Sequence, residues 1–561
     1  MQTTHRGSHL TPSFLTILAG IAFVYGCSGA KPPSATGEIS GVVTAAQPFE
    51  AAKVYAKHIE RNIIYMSYTG GGRYRTVAMF PGAYEVWAEK PGLESAHYDV
   101  RLEPGAVLTV DLALQPVAMR TVGQGTFMGT ERRSRAADAL WLSYDELYPD
   151  SPIKPLFEQV CVECHGKSYL SFFHKSKAQW DSTIRAMQAT RIPPGRVDDA
   201  QREALADYLA THFGPDSPDR RMINETPIPL DEQALSKAQY VEYLLPLDES
   251  RPRRWVQEVH IDFDGNVWYT ERTLPAAVGR LDPRTGEVKE WVLPDPEADP
   301  HGLTIDSEGY VYWAEVKQPY LGRLDPRTGE MERYPFDPTG KLGTLGGHTP
   351  VLDSEENVWF TIIYGDALGK WDRKTKTIQV WRVPTPRSMP YGLDIGPNDT
   401  PVLAGLYGCP VVAFDQATET FIEYPALVEP PCVTRRLGVD SQNVIWYGVY
   451  SRGKLGKIDP ETGQTVEYDM ASRFSEPYDV WRDRNTDLLW ISDAGQGGAI
   501  VRFDSATEKF TYYPTPRRSD MPKMDVTSDG KIWYSTRAVP DGAVGVLYPD
   551  KTQVQSMAAR R

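Results

Sequence analysis

From about residue 238 onward the chain repeats one unit roughly every 40–45 residues, and that period admits few architectures. Each unit reads as an apolar strand, an Asp-x-x-Gly turn or a relative of it, and an aromatic strand. Gly-Arg/Lys-Leu/Ile-Asp-Pro, a Thr-Gly turn and a closing strand follow. Ile261-Asp262-Phe263-Asp264-Gly265-Asn266-Val267-Trp268-Tyr269 aligns with Ile305-Asp306-Ser307-Glu308-Gly309-Tyr310-Val311-Tyr312-Trp313. Gly279-Arg280-Leu281-Asp282-Pro283 likewise aligns with Gly322-Arg323-Leu324-Asp325-Pro326. Four strands per unit at this spacing predict a β-propeller. Seven units can be counted, with aromatic strands centred near Trp268, Trp313, Trp359, Leu403, Trp446, Trp490 and Trp533. The segment Gln239–Pro246 reads as a closing strand although it precedes the first unit. It is expected to complete the last blade, which would otherwise expose an edge.

A chain of 561 residues is too long for one core, and the remainder divides in two. Over 37–117, short alternating strands broken by Pro-Gly turns predict a small β-sandwich. Its strands are placed at 38–43, 53–56, 74–80, 82–88, 99–102 and 108–112. Phe80-Pro81-Gly82-Ala83-Tyr84 leads into a strand as in the carboxypeptidase regulatory-like domain, which this segment resembles; a structural role is the expectation. Over 138–214 the period becomes helical, and 199–210 is an amphipathic helix with acidic residues in its first turns. The fold class is therefore mainly β: an N-terminal β-sandwich, a small all-α domain, and a C-terminal seven-bladed β-propeller over 238–561.

The N-terminus reads as an export signal over 1–27. The apolar run 14–24 is too short to span a bilayer and ends at Val24-Tyr25-Gly26-Cys27, which resembles a bacterial lipobox with Cys27 as the lipidated residue. The expectation is a periplasmic protein that meets a membrane only through a lipid anchor. The formal charge of −14 argues against nucleic acid as a partner. Of five cysteines, Cys409 and Cys432 remain as a pair that an oxidising compartment could join.

Cys161-Val162-Glu163-Cys164-His165 is a C-x-x-C-H signature. Two thiols on one helical turn can each form a thioether to a haem vinyl, and the adjacent His can meet the iron. A zinc half-site would need another Cys/His pair, and a redox dithiol would need a βαβ context. The segment resembles small c-type cytochromes, which implies one covalent haem c. In that family the sixth iron ligand is a Met between the motif and the last helix, a position Met187 occupies here. His174 is the rival ligand, and its plain reading is a surface histidine. Met ligation raises the reduction potential and a second His lowers it.

Indexing the units against one another places titratable side chains on one propeller face. His301, His348, Tyr391, Arg435, Tyr478 and Lys523 open the first strands, and Glu271, Glu315 and Asp493 close second strands. Asp299-Pro300-His301 with Glu315 fourteen residues on resembles the catalytic pattern of the virginiamycin B lyase (streptogramin lyase) family. In that family the first acid is Glu, the carboxylates hold Mg²⁺ and the His is the base. The resemblance covers the whole propeller, but Asp replaces that Glu and the constellation lies in an early blade. In the sixth unit, Glu476-Pro477-Tyr478 with Asp493 lacks the base. The resemblance implies His301 and Glu315 as catalytic residues, with Mg²⁺ or Ca²⁺ on Asp299 and Glu315.

Together these readings predict an exported c-type cytochrome that transfers electrons to or from a redox partner protein. Its propeller would bind a substrate or partner, as part of a dehydrogenase system. The alternatives are a streptogramin lyase-like metal-dependent enzyme with an accessory haem, and a redox-sensing scaffold.

Overall fold

A computed structural model describes residues 35–117, 140–222 and 227–554, apart from 191, 193–194, 341, 343–345, 409, 425–426, 428–431, 484, 496–497, 518 and 538–540. The segment 1–27 read as an export signal, with Cys27, and also Cys409, lie outside the described residues. No helix among the described residues is long and apolar enough to cross a membrane.

The repeats fold into propeller-like sheets. Six four-stranded antiparallel sheets follow one another over 256–292, 300–335, 347–382, 390–424, 434–469 and 477–514. A seventh unit combines Met524–Val526, Ile532–Thr536 and Ala543–Tyr548 with Gln239–Leu244, which pairs antiparallel with Ala543–Tyr548. The first strand of each unit lies innermost, beside the first strands of its neighbours. Met524–Val526 neighbours both Pro477–Arg482 and Val256–Ile261, so the seventh unit stands between the sixth and the first.

The repeated motif explains itself locally. Asp262 accepts the backbone N–H groups of Asp264 and Asn266 through Oδ1, and the Trp268 indole N–H through Oδ2 at 2.9 Å. Asp353 does the same for Trp359, and Asp440 for Trp446. In the second unit, where Tyr312 replaces that Trp, its hydroxyl donates to Asp306 at 3.0 Å. One carboxylate thus stabilises the turn and satisfies the polar atom of a buried ring, which would otherwise be costly to bury.

The N-terminal unit has two sheets around a shared core of residues such as Ile39, Val54, Tyr84 and Leu102. One strand in it was not expected from the sequence. Ile63–Tyr68 is buried at every position, so it has no polar alternation to betray it. It pairs with Lys53–His58 on one side and with Gln239–Leu244 on the other. The second sheet therefore runs on into the seventh propeller unit, ten strands in all. The Gln239 side chain reinforces the seam by exchanging two hydrogen bonds with the Val77 backbone, at 2.8 and 2.9 Å.

The helical unit contains Lys177–Thr190 and Asp199–His212 packed together. Asp198 and Gln201 form a capping box at the start of the second helix, which buries Leu205, Ala206, Tyr208 and Leu209. The ends of the unit are fastened by a short parallel pair, Leu140–Leu142 with Arg220–Met222.

Deleting residues 37–117 leaves Gln239–Leu244 as an open edge beside newly exposed apolar surface. The expected result is self-association and a lower unfolding temperature, read by light scattering and thermal denaturation. An unchanged, monodisperse protein would contradict this role for the seam.

Candidate functional site

In each of the six separate sheets the register shifts at the head of the innermost strand, for example between Val256 and Val259 and between Pro300 and Leu303. Such bulges re-aim a side chain at the end of a strand. Here the re-aimed residues are the ones indexed from the sequence. His301, His348, Tyr391, Arg435 and Tyr478 line one cavity of about 410 Å³. Lys523 is not among its lining residues; its ammonium lies over the Trp481 ring, 3.6 Å from Asp479.

The second-strand acids do not reach this cavity, because their strands stand one place further from the centre. Glu315 is fully buried against Arg333, at 2.5 Å, and accepts the Trp313 indole N–H at 3.1 Å. Asp299 accepts two hydrogen bonds from Arg272, at 2.5 and 2.7 Å. Glu271 accepts from Trp255 and Thr273, and Asp493 from the backbone of Glu476 and Gly495. The expected Asp299–His301–Glu315 constellation is therefore not assembled, since an arginine has claimed each carboxylate. Among the described residues no three or more His, Cys, Asp or Glu side chains are grouped so as to hold a metal ion.

The two histidines differ in their free valences. The Gln257 amide oxygen faces Trp255 and Arg272 donors, so its nitrogen donates to His301 Nε2, at 2.9 Å. His301 Nδ1–H then donates to Glu258, at 3.0 Å, and Arg436 binds the same carboxylate. Both His301 nitrogens are occupied. His348 packs against His301 with ring centres 3.5 Å apart and the planes tilted by 33°. Its Nδ1 meets the Thr349 hydroxyl at 2.9 Å and the Tyr391 carbonyl at 3.1 Å; the Thr349 hydroxyl already donates to that carbonyl, and a carbonyl only accepts, so the tautomer that satisfies both contacts carries its proton on Nδ1. That leaves His348 Nε2 as a lone pair without a partner, in a side chain 1% exposed. Burial, reinforced by neighbouring arginines, holds both imidazoles well below the ordinary histidine range, so they stay neutral.

Arg435 is caged by Tyr391, Tyr450 and Tyr478, with 4.2 and 4.4 Å from its guanidinium carbon to the last two rings. Tyr391 and Tyr478 share a short hydroxyl–hydroxyl hydrogen bond. Burial opposes ionisation of Tyr478, but Arg435, Arg537 and Arg436 outweigh it and pull this phenol down to about 7. Tyr391 moves the other way, through burial and the charge of Tyr478. Arg272, Trp255 and Arg537 also line the cavity. They sit in or next to the loops that join strands, outside the aligned strand positions, and the sequence indexing missed them.

The helical unit closes the mouth of this cavity. Cys164, His165 and Met187 line the same space as His348 and Arg435. The Arg435 Nη2 donates to the Cys164 carbonyl at 3.0 Å, and the Lys167 backbone N–H donates to Glu476 at 2.7 Å. Arg452 pairs with Glu163 at 3.1 Å, and Arg387 donates to the Ile192 carbonyl at 3.0 Å. Gly166 has φ +84°, and a Cβ there would stand 2.7 Å from the Tyr450 hydroxyl oxygen, so close docking requires glycine.

The donor set fits a c-type haem. Cys161 and Cys164 lie on consecutive short helical segments, Glu158–Val162 and Glu163–His165, and neither is in a disulfide. Burial pushes the Cys161 thiol up to about 12. The His165 ring stacks on Tyr169 at 4.6 Å, and Met187 reaches the cavity from the Lys177–Thr190 helix. His174 is neither a surface residue nor near the cavity. Its side chain is 1% exposed, pairs with Asp219 at 2.8 Å and bonds the Gly214 carbonyl.

Cys432 is disulfide-bonded, and the Gly408 N–H donates to its carbonyl at 3.2 Å; the expected partner, Cys409, lies outside the described residues.

A spectrophotometric titration should reveal one tyrosine ionising near pH 7, far below the ordinary range near 10. Tyr478→Phe should abolish that step and Arg435→Gln should move it upward. Tyrosine absorbance that rises only in the alkaline range would refute the arginine cage.

Residues 233–409 match the profile of the Virginiamycin B lyase family. Among solved structures, virginiamycin B lyase from Staphylococcus aureus is 18% identical over 55% of this chain and 99% of its own, with a TM-score of 0.48. A streptogramin B lyase structure is 20% identical over 55% and 97%, with a TM-score of 0.49. The WD40 β-propeller domain of Doa1 is 13% identical over 55% and 96%, with a TM-score of 0.44. No curated protein is significantly similar to the chain. With the strand order described above, the family match makes the C-terminal region a virginiamycin B lyase-like propeller domain.

Proposed function

We propose that residues 138–214 form a cytochrome c domain carrying one covalent haem c through Cys161 and Cys164, with His165 and Met187 as iron ligands. The protein transfers electrons between a small molecule in the propeller funnel and a redox partner protein outside it. One observation carries this reading: Cys164, His165 and Met187 open into the same cavity as His348, Tyr391, Arg435 and Tyr478. A haem held there supplies a one-electron couple and no substrate specificity of its own. The propeller residues supply that specificity. Trp255 and the tyrosines exclude water, Arg435 offers a positive charge, and His348 offers a hydrogen-bond acceptor.

In this reading the N-terminal unit is a carboxypeptidase regulatory-like sandwich acting as a structural brace. The protein is exported to the periplasm, with Cys27 as its lipid anchor, because c-type haem is attached outside the bacterial cytoplasm.

Haem attachment is read on a denaturing gel stained for haem peroxidase activity. The wild type should stain, and Cys164→Ala should lose the stable band. An unstained wild type, expressed with a haem-attachment system, would overturn the proposal.

Axial ligation is read from the weak near-infrared charge-transfer absorption of Met–Fe(III). Met187→Ala should remove it and His174→Ala should leave it, since His174 is held by Asp219 away from the cavity. The reverse pattern would remove Met187 from the site.

A further inference from the structure

Two groups in the funnel lack the partner that their chemistry requires. His348 Nε2 is an unprotonated acceptor with no donor, in a side chain almost wholly buried against the cavity. A buried acceptor left unpaired is costly, so a ligand that donates to it is favoured over one that cannot. Arg435 has no carboxylate partner among the described residues, whereas Arg272, Arg436 and Arg537 pair with Asp299, Glu258 and Asp520. Its Nη1 reaches the Tyr391 hydroxyl, its Nη2 the Cys164 carbonyl, and its Nε has no partner. The counter-charge the cage itself offers is the Tyr478 phenol, which, against burial, Arg435, Arg537 and Arg436 pull down to about 7 and which is therefore only partly ionised at neutral pH; a carboxylate ligand would supply a full one.

The placement of these two groups bears on the ligand's shape. Both border Tyr391. The His348 ring centre is 3.9 Å from the Tyr391 ring centre, and the Arg435 guanidinium carbon is 5.6 Å from it, towards the hydroxyl end. A ligand touching both must therefore lie beside the Tyr391 ring. Planar rings, including Tyr364, Tyr407 and Trp255, share the walls with aliphatic side chains such as Ile363 and Leu406, and together they favour a flat, largely apolar molecule.

We propose that the funnel binds a single-ring hydroxylated aromatic carboxylate, with its carboxylate on Arg435 and its hydroxyl donating to His348 Nε2. The pairing is selective at both ends. Without the hydroxyl, His348 stays unsatisfied; without the carboxylate, Arg435 does. A short aliphatic hydroxy acid lacks the flat face that the surrounding rings would receive. The ligand's role as electron donor rests on the electron-transfer reading above, but its binding does not. Haem propionates offer Arg435 the same carboxylate chemistry, and the test separates these two sources.

Calorimetric titration of the full-length protein with 4-hydroxybenzoate, benzoate, phenol and lactate tests the site. The expected result is that 4-hydroxybenzoate binds about tenfold or more tightly than each of the others. Arg435→Gln should erase its advantage over phenol, and Arg435→Lys should keep part of it. His348→Phe should erase its advantage over benzoate, and His348→Gln, which retains an acceptor oxygen, should restore some. The wild-type ligand series stands even if a variant does not fold. Equal affinities across the series, or no 4-hydroxybenzoate binding, overturns the proposal; the latter, joined to a shifted haem potential in Arg435→Gln, assigns Arg435 to a propionate instead. Haem staining of the same preparation keeps the readings apart. Binding by unstained protein keeps the site and removes electron transfer, whereas stained protein that does not bind loses only the site.

Discussion

The guanidinium of Arg435 is shared between two units of the chain. One nitrogen holds the backbone of the Cys-x-x-Cys-His segment, another holds a phenol of the propeller funnel, and three aromatic rings enclose the charge. Removing such a charge from water is costly, and the cost is offset only where acceptors and rings are already arranged to receive it. The arrangement depends on the bulged heads of the innermost strands, which direct Tyr391, Arg435 and Tyr478 inward. It also depends on Gly166, which lets the motif approach Tyr450. The cavity exists because these features meet.

A second constraint lies at the opposite end of the chain. The strand that completes the seventh propeller unit comes from before the first unit, and its outer edge is covered by Ile63–Tyr68. Strand pairing thus links the N-terminal unit to the propeller, and Gln239 adds a side-chain clasp across to Val77. Covering this edge removes a template for unwanted pairing. The helical unit is inserted between these two partners in sequence, and its own ends are tied by Leu140–Leu142 and Arg220–Met222.

The lyase-like pattern shows how a local motif can be present without its site. Asp299, His301 and Glu315 stand at the spacing of the resembling family. Spacing along a hairpin does not say which neighbour a carboxylate will meet. Arg333, on the outermost strand of the same sheet, reaches Glu315, and Arg272, in a loop of the preceding sheet, reaches Asp299. Each pair neutralises a buried acid and consumes the oxygens that a cation would need. His301 is likewise spent on Glu258 and Gln257, while His348, one sheet on, keeps its free nitrogen.

By itself the sequence determined whatever depends on period and neighbouring positions. The repeat, the Asp-anchored turns, the closing strand at Gln239–Leu244 and the inward first-strand residues were legible because each is a local pattern repeated several times. The Cys161-Val162-Glu163-Cys164-His165 spacing was legible because its residues are neighbours in the chain. Only tertiary structure decided which distant groups meet. It spent Glu315 and Asp299 on arginines, tied His174 to Asp219, ran Ile63–Tyr68 into the propeller sheet, and set the Cys-x-x-Cys-His segment over the funnel. These outcomes rest on contacts between residues far apart in the chain, or on segments buried on every face, where no periodic pattern marks the partner.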